Sequence, residues 1–269
     1  MLLGFHHVTA FAGDAQSNLD FYTQRLGLRL VKRTVNYDDP ATYHFYFGDE
    51  TGTPGSLLTF FPWPTAPAGS PGSGQAIGIQ FELPNAPGPE TQDPAGLHLE
   101  LATARKPRIV SVTLRVADAA KTRRFLTEIL GFTAVADDAF EVGESIVKLV
   151  DAPGMERVKL SMGMIHHVAF RVADEAMQIE WRNKLKAAGV RVTRVIDRQY
   201  FRSIYFREPG GVLFEIATDG PGFLIDESVD ALGSALRLPP WLESIRESVV
   251  RRLPEVHLPE VHATGVQEK

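Results

Sequence analysis

The sequence predicts an α+β fold built from a repeated unit of one strand, one helix and two or three further strands. Two stretches, FHHVTAF and IHHVAFRV, each contain a pair of histidines. An Asp follows the second histidine of each pair by seven residues: Asp14 follows His7, and Asp174 follows His167. A third stretch, RIVSVTLRVADAAKTRRFLTEILGF, has Asp118 in the same register. A repeat of roughly 50 to 60 residues indicates an array of similar modules.

Each predicted module follows the same order. The Asp is typical of a helix N-cap, the next residues have helical periodicity, and a Gly ends the helix before β-rich sequence such as YHFYFG or RSIYFRE. The predicted units are 1–63, a truncated second unit 64–106, 107–162, 163–222, and a helical C-terminal tail 223–269.

The second unit is predicted to lack its helix. AIGIQFELP resembles a first strand and DPAGLHLELAT a last strand, but only the loop-like sequence NAPGPETQ lies between them. In the tail, RLPPWLESIRESVVRRL begins with two prolines and then shows helical periodicity. His257 and His262, in the tandem LPEVHLPEVH, are expected on solvated surface.

Composition excludes several classes of function. The 269 residues carry a net charge of -5, which argues against general binding to nucleic acid. No cysteine is present, so disulfides, thiolate metal ligands and a Cys nucleophile are excluded. No segment approaches about 20 continuous apolar residues, and the N-terminal stretch does not resemble a signal peptide. The expectation is a soluble, cytoplasmic protein that binds no membrane; whether copies associate is left open.

Comparison between the modules tests the paired histidines. At the position of His7 and His167, the second module has Gly78 and the third has Ser111. In the last strand the fourth module has Glu215, and the comparison places Glu100 and Phe60 as counterparts in the second and first modules. The third module's last strand is expected around ERVKLSMG, without a convincing carboxylate.

Three residues therefore predict a metal site: His7, His167 and Glu215. Two imidazoles and one carboxylate on one face leave up to three positions of an octahedral metal open, as in the facial triad of non-haem Fe(II) oxygenases. Mn²⁺ would accept the same ligands. A four-ligand site, which suits Lewis-acid isomerisation, would need a carboxylate near Phe60. The alternative is that the histidines are structural, and that role is expected for His44 and His98.

The chain resembles the vicinal oxygen chelate superfamily and, more closely, the hydroquinone and 2,6-dichlorohydroquinone ring-cleaving 1,2-dioxygenases. The resemblance lies in HHVT, in LVKRTVNYDDPATYHFYFGDETGTPGSLLTFFPW, in HHVAF, in DRQYFRSIYFREPGGVLFEIATD and in LPPWLE. It implies βαβββ modules paired into half-open barrels, the first with the last and the two middle modules together. It also implies that His7, His167 and Glu215 bind Fe(II).

The resemblance further implies the residues around the metal. His6, His166, Arg198 and Tyr205 would be catalytic, and Thr9 would bind substrate. Thr9 shares a strand face with His7, but His6 and His166 would face away from the ligands unless a twist or bulge turns them inward. Tyr205 and a neutral imidazole suit proton transfer, and Arg198 could stabilise a developing negative charge.

The function implied is an extradiol-type dioxygenase that uses Fe(II) and O₂ to open a hydroquinone-type, para-diphenol ring. One alternative is a glyoxalase-like isomerase or epimerase that uses Ni²⁺, Zn²⁺ or Co²⁺. Another is a metal-free protein of the same fold that binds an aromatic compound or an antibiotic. The missing fourth carboxylate argues against the isomerase, and the binding protein leaves the three candidate ligands unexplained.

Overall fold

The computed structural model describes residues 1–258; His262 and the end of the predicted tail, 259–269, lie outside the described residues. The strands form two mixed sheets. Eight strands form the first sheet, in the spatial order β13 (Ile196–Asp197), β14 (Phe201–Arg207), β15 (Leu213–Pro221), β12 (Ile165–Val172), β1 (Phe5–Ala12), β4 (Leu57–Pro62), β3 (Asp39–Gly48) and β2 (Arg29–Asn36). Seven strands form the second, in the order β6 (Glu90–Gln92), β7 (His98–Thr103), β5 (Gln75–Leu83), β8 (Arg108–Val116), β11 (Ser145–Asp151), β10 (Ala139–Val142) and β9 (Thr133–Ala136).

The strand order confirms the α+β fold of modules paired into half-open barrels. Strands from 1–63 lie beside strands from 163–222 in the eight-stranded sheet, and strands from 64–106 lie beside those from 107–162 in the seven-stranded sheet. At the centre of each sheet the first strands of two modules pair antiparallel, β1 with β12 and β5 with β8. The first and last modules therefore share one sheet.

The helices begin where the sequence predicts. Asp14, Asp118 and Asp174 each accept a hydrogen bond from the backbone N–H three residues further on, at 2.8, 3.0 and 2.9 Å. The helices are α1 (Ala15–Asp20) with a π-helical turn (Phe21–Arg25), α2 (Ala119–Arg124) with a π-helical turn (Phe125–Ile129), α3 (Glu175–Ala187), α4 (Pro240–Glu243) and α5 (Arg246–Val250). No helix among the described residues is long and apolar enough to cross a bilayer.

Two sequence predictions need correction in the seven-stranded sheet. The sequence NAPGPETQ contains a short strand, β6, although residues 64–106 contain no helix, as predicted. The third module's last strand is β11, not ERVKLSMG, because SIVKLVD provides the alternating buried side chains that pack beside β8. ERVKLSMG instead forms isolated bridges to Ser70 and Ser73.

One apolar cluster runs through both sheets. Val8, Val168 and Phe214, which alternate with polar neighbours along their strands, belong to this core. Because successive side chains of a strand point to opposite faces, the neighbouring His7, His167 and Glu215 turn to the other face.

The C-terminal segment covers the β2 edge of the eight-stranded sheet. The backbone N–H of Arg237 donates to the carbonyl of Arg33 at 2.9 Å, and Leu238, Leu242 and Val249 pack against Val35. The tail contains two short helices, α4 and α5, rather than one continuous helix. Two short 3₁₀ turns, Phe223–Ile225 and Val229–Ala231, precede them.

Candidate metal site and cavity

The three predicted ligands meet at the centre of the eight-stranded sheet. In the antiparallel pair of β1 and β12, His7 lies opposite Ala169 and Thr9 lies opposite His167. In the parallel pair of β12 and β15, Ala169 lies opposite Glu215. The register thus places the side chains of three strands on one patch, although they come from opposite ends of the chain.

The three candidate ligand atoms form a compact triangle. The Nε2 atoms of His7 and His167 lie 3.1 Å apart, and the Oε2 atom of Glu215 lies 3.3 and 2.9 Å from them. All three side chains are buried, and together they could hold a metal ion. Two ligands at right angles, each about 2.1 Å from a metal, lie about 3.0 Å apart, so the triangle has the size of one face of an octahedron.

The carboxylate of Glu215 supports the fit to a cation. Its Oε2 atom is buried and makes no hydrogen bond with the described residues, while Oε1 accepts a hydrogen bond from the hydroxyl of Ser203. Burial alone would raise the pKa of Glu215, but the imidazoles of His7 and His167 outweigh burial and hold the pKa well below its ordinary value. An ionised, buried carboxylate oxygen without a hydrogen bond is suited to bind a cation.

A β-bulge explains why each candidate histidine ligand is preceded by another histidine. The pairing of β1 with β12 is interrupted between Phe5 and His7 and between Thr9 and Ala10, which leaves His6 and His166 as the extra residues. The bulges let each of these rings approach its neighbour. The Nδ1 atoms of His6 and His7 lie 2.9 Å apart, and those of His166 and His167 lie 2.8 Å apart.

These contacts orient the candidate ligands. Burial lowers the pKa of His6 and of His166 to about 3, so both rings are neutral near pH 7 and can accept a hydrogen bond. An accepted Nδ1–H leaves Nε2 of His7 and of His167 free to bind a metal. Metal-binding histidines commonly have such a partner for the second ring nitrogen.

Arg198 and Tyr205 lie beside the triangle. The Nε–H of Arg198 donates to the hydroxyl oxygen of Tyr205 at 3.1 Å, and its guanidinium lies 3.0 Å from a carboxylate oxygen of Asp38. The ring of Tyr205 meets the ring of His167 edge-on, with centroids 5.8 Å apart. Burial raises the pKa of Tyr205 well above its ordinary value, so the phenol keeps its proton at neutral pH.

Thr9 reaches the triangle and continues into a row of polar groups. Its hydroxyl lies 3.0 Å from Nε2 of His167 and 2.7 Å from the hydroxyl of Thr59. The hydroxyl of Thr59 in turn lies 2.9 Å from Nε2 of His44. A structural role was expected for His44 because no matching histidine exists in the other modules, whereas the structure places it beside the candidate site.

A cavity of about 240 Å³ opens next to the three candidate ligands. Among the predicted site residues, His7, His166, His167, Arg198 and Tyr205 line it, while His6, Thr9 and Glu215 lie behind its wall. Its remaining lining residues are Asn36, Tyr37, Asp38, His44, Tyr46, Phe61, Phe201 and Leu213. Phe61 lines the cavity, whereas Phe60 and Phe214 belong to the core.

The register corrects the predicted counterpart of Glu215 in the first module. In the fourth module Glu215 lies opposite Ala169, which follows His167 by two residues. In the first module the equivalent residue is Thr9, which follows His7 by two residues. The residue opposite Thr9 is Thr59 rather than Phe60. The neighbouring Phe60 turns to the core because side chains alternate along the strand. The conclusion that no fourth carboxylate is present holds at the corrected position.

The family comparison supports these observations. A family model described as "Glyoxalase/Bleomycin resistance protein/Dioxygenase superfamily" matches residues 4–87 and 108–216, more than half of the chain. The unmatched residues 88–107 overlap the end of the predicted second module, 64–106.

Several relatives match almost the whole chain. "Putative ring-cleaving dioxygenase MhqE" of Bacillus subtilis (strain 168) is 39% identical over 305 aligned positions, which cover 94% of this chain and 99% of the relative. "Chlorohydroquinone/hydroquinone 1,2-dioxygenase" of Sphingobium indicum is 29% identical and is covered to 95%, against 93% of this chain. The alignment with the Bacillus subtilis protein MhqE spans 305 positions, more than the 269 residues of this chain. MhqE therefore has residues without a counterpart here.

Solved structures agree with the fold. The crystal structure of a protein described as "putative dioxygenase" from Bacillus subtilis subsp. subtilis str. 168 has a TM-score of 0.89 at 35% identity, and covers 97% of this chain and 99% of its own. Glyoxalase I of Zea mays has a TM-score of 0.57 at 17% identity, with 80% of this chain and 92% of its own covered, and shares the fold alone.

Proposed function

The chain belongs to the glyoxalase/bleomycin resistance protein/dioxygenase superfamily, and we propose that it is an Fe(II)-dependent dioxygenase that opens a hydroquinone-type ring with O₂. The observation that supports this proposal most is the buried triangle of His7, His167 and Glu215 at the wall of an aromatic-lined cavity. The names of the relatives support ring cleavage, and the name of the Sphingobium indicum protein supports a para-diphenol substrate.

The three candidate ligands fit a divalent metal with open coordination positions. His7, His167 and Glu215 would hold Fe(II), and Mn²⁺ would accept the same atoms. When bound, the metal would supply the redox chemistry that lets O₂ react with the ring. The protein residues contribute orientation, charge and proton transfer.

The cavity walls suit a flat phenolic substrate. Tyr46, Phe61 and Phe201 provide aromatic surfaces for the ring. The guanidinium of Arg198, fixed between Asp38 and Tyr205, places a permanent positive charge where a phenolate needs stabilisation. These roles explain why polar groups converge in an otherwise aromatic pocket.

Tyr205 and the bulge histidines have separate roles in this proposal. The phenol of Tyr205 stays protonated and can donate to oxygen atoms of the substrate or product. His6 and His166 hold the candidate ligands in the tautomer with a free Nε2. They act through the ligands and need not touch the substrate.

The geometry favours the dioxygenase over the two alternatives. Thr59 occupies the position where a fourth carboxylate would complete the ligand set of a Lewis-acid isomerase. A metal-free binding protein would leave unexplained why two buried imidazoles and a buried carboxylate converge within 3.3 Å of one another. The proposed open ligand set accounts for both features. Cytoplasmic location stays a prediction, and whether copies associate stays open.

Metal analysis followed by oxygen uptake tests the proposal. Protein purified without oxygen should contain about one iron per chain, and the same sample should consume O₂ with hydroquinone while a ring-opened acid replaces the quinol absorbance. Catechol, with adjacent hydroxyls, is the matched control substrate and should react more slowly. Protein that binds no metal after reconstitution with Fe(II) would contradict the candidate site; iron without O₂ uptake would contradict the hydroquinone activity.

A further inference from the structure

A continuous row of hydrogen-bonding groups leads from the candidate metal site to the cavity wall. It starts at Nε2 of His167, passes through the hydroxyls of Thr9 and Thr59, and ends at Nε2 of His44, with successive separations of 3.0, 2.7 and 2.9 Å. All three are within hydrogen-bond distance. Hydroxyl groups both donate and accept, so such a row can pass a proton.

The two threonines of this row are shielded from solvent, and His44 reaches the cavity. Thr9 and Thr59 are completely buried on adjacent parallel strands, where they lie opposite each other. His44 lies on β3 with its ring 4.0 Å from that of Tyr46 and 4.3 Å from that of Phe61, and it lines the cavity. Only its Nε2 is hydrogen-bonded within residues 1–258, which leaves Nδ1 available.

The other polar groups at the triangle have partners of their own. The Nδ1 atoms of His6 and His166 face those of His7 and His167, and the hydroxyl of Tyr205 accepts from Arg198. A metal on Nε2 of His167 would take the electron pair that now faces Thr9. The hydroxyl of Thr9 would then be available to an oxygen atom of a substrate bound beside it.

We propose that Thr9, Thr59 and His44 form a proton relay that carries the proton of a substrate hydroxyl from the metal site to the cavity. The proposal rests on the proposed function and extends it to residues that the sequence left without a catalytic role. The substrate O–H bond breaks as its proton passes to Thr9. The hydroxyl proton of Thr9 moves to Thr59, that of Thr59 moves to Nε2 of His44, and Nδ1 of His44 releases a proton into the cavity.

The balance of the reaction requires the proton to return. Both atoms of O₂ enter the ring-opened product, which therefore carries the same hydrogens as the substrate. Reverse transfer from His44 through Thr59 and Thr9 returns the proton and restores the original tautomer of His44. Electrons pass between the ring and O₂, and the relay moves protons alone.

The electrostatics of His44 suit a group that passes a proton on rather than one that keeps it. Burial, with smaller effects from His7, His167 and Arg198, holds the pKa of His44 well below its ordinary value, against the opposing effect of Glu215. Its imidazolium is therefore short-lived at neutral pH. A group that kept the proton would block the next turnover.

The rate of phenol ionisation at the metal site tests the relay directly. The probe is 4-nitrophenol, mixed by stopped flow with Zn²⁺-loaded protein at a pH where the free probe is neutral, and the readout is the absorbance of its phenolate. Thr59→Val and His44→Phe should slow its appearance at least about tenfold, because positioned proton transfer contributes about 10² to 10⁴ in rate. Thr59→Ser keeps the hydroxyl and should restore the wild-type rate.

Thr34→Val is the matched control. Thr34 is a buried threonine on β2, opposite His44, and its hydroxyl has no hydrogen-bond partner within residues 1–258. This variant should keep the wild-type rate. In metal-free protein, ¹⁵N spectra should show His44 with its proton on Nδ1, and Thr59→Val should change that tautomer balance while Thr34→Val does not.

The outcomes separate the relay from the proposed function. Equal rates in wild type, Thr59→Val and His44→Phe would overturn the relay even if the iron enzyme consumes O₂ with hydroquinone. Slow ionisation in both variants, with no O₂ uptake by the iron-loaded wild type, would support the relay and contradict the dioxygenase activity. Metal-loaded wild type that forms no phenolate would overturn the relay as well.

Discussion

The two sheets have the same bulged centre but different residues there. In the eight-stranded sheet the extra residues of the β1–β12 pair are His6 and His166. In the seven-stranded sheet the β5–β8 pair is interrupted at the equivalent places, and the extra residues are Ile77 and Val110. The bulges therefore belong to the repeated fold and do not depend on histidine. Only the residues placed at them distinguish the candidate metal site.

The counterparts of the three candidate ligands follow from the same register. Gly78 and Ser111 stand where the other sheet has His7 and His167, and Glu100, opposite Gln80, stands where it has Glu215. In the third module the same position, opposite Thr113, is Lys148. The second sheet thus retains one carboxylate without the imidazoles, which makes it a built-in control for the first.

The largest effect is expected for Glu215→Gln. The amide keeps the size of the side chain but removes the negative charge, so metal affinity should fall more than about a hundredfold and O₂ uptake should be lost with it. Metal content after dialysis and O₂ consumption measure both losses. Glu100→Gln, at the equivalent place in the other sheet, should change neither. Loss of turnover without loss of metal would contradict the assignment of Glu215 as a ligand.

The next effect concerns the covered β2 edge of the eight-stranded sheet. Lys32 is completely buried on β2, and its ammonium lies 2.6 Å from a carboxylate oxygen of Asp226 and also contacts the buried Glu227. Lys32→Met should lower the free energy of unfolding by about 3 to 5 kcal/mol, because it removes the ammonium beside the buried Glu227 and leaves, among the described residues, only the guanidinium of Arg237 as a cation, 3.5 Å from the other carboxylate oxygen. Urea unfolding of metal-free protein measures the change.

Lys148→Met is the control for this effect in the seven-stranded sheet. Lys148 is half-buried and makes no ion pair within residues 1–258, so the change should stay within about 0.5 kcal/mol. Similar losses of stability in the two variants would show that the ion pairs of Lys32 with Asp226 and Glu227 do not hold the C-terminal segment in place.

Acid should destabilise the metal-free protein through the buried histidines of the eight-stranded sheet. The pKa of His6 and of His166 is about 3 in the folded protein, whereas an unperturbed histidine has a pKa of about 6.5. Between these pH values the unfolded chain binds protons that the folded chain does not. The stability of metal-free protein should therefore fall as the pH falls below about 6.5, by about 1.4 kcal/mol per pH unit for each such histidine.

Substitutions in both sheets test the source of this pH dependence. His166→Phe should remove one histidine's share of the slope in urea unfolding between pH 6.5 and 4.5. At the equivalent bulge of the seven-stranded sheet, Val110→Phe introduces the same ring without removing a titratable group, so it should leave the slope unchanged. Equal slopes in wild type and His166→Phe would contradict the assignment.

Much of this arrangement could be predicted from the sequence, because it repeats. The interval from His7 to Asp14 recurs from His167 to Asp174, and this register predicted the helix starts and the two histidines, while comparison of the last strands predicted Glu215. Glu100 was also identified correctly as the counterpart of Glu215. Internal repetition thus provided the alignment from which the sheet pairing could be inferred.

The features that remained open or were missed are ones that a single strand does not encode. Ideal alternation turns His6 and His166 away from the ligands, and no residue type marks the bulge that brings them back, since Ile77 and Val110 occupy the same place in the other sheet. Thr59 was missed in favour of Phe60 because a one-residue difference in strand register reverses the face. His44 was missed because it reaches the site through Thr59, a long-range contact.

The smallest expected effect is a gain of metal binding in the seven-stranded sheet. A Cβ atom at Gly78 would have its nearest neighbour, in Thr113, at 4.0 Å, so a side chain fits there. Gly78→His with Ser111→His, beside the existing Glu100, should bind a second Zn²⁺ per chain, measured by metal content and calorimetry. The single Ser111→His variant should not.

The affinity of this second site should depend on the bulge residues. Metal ligands that lack their hydrogen-bonding partners commonly lose about 10- to 100-fold in affinity, and Ile77 and Val110 offer no such partner. Adding Ile77→His and Val110→His should recover that factor. If the double variant binds as tightly as the native site, His6 and His166 do not orient the ligands. If even the fourfold variant binds no second metal, the common bulge is insufficient, and the closed cavity around the native triangle must supply the difference.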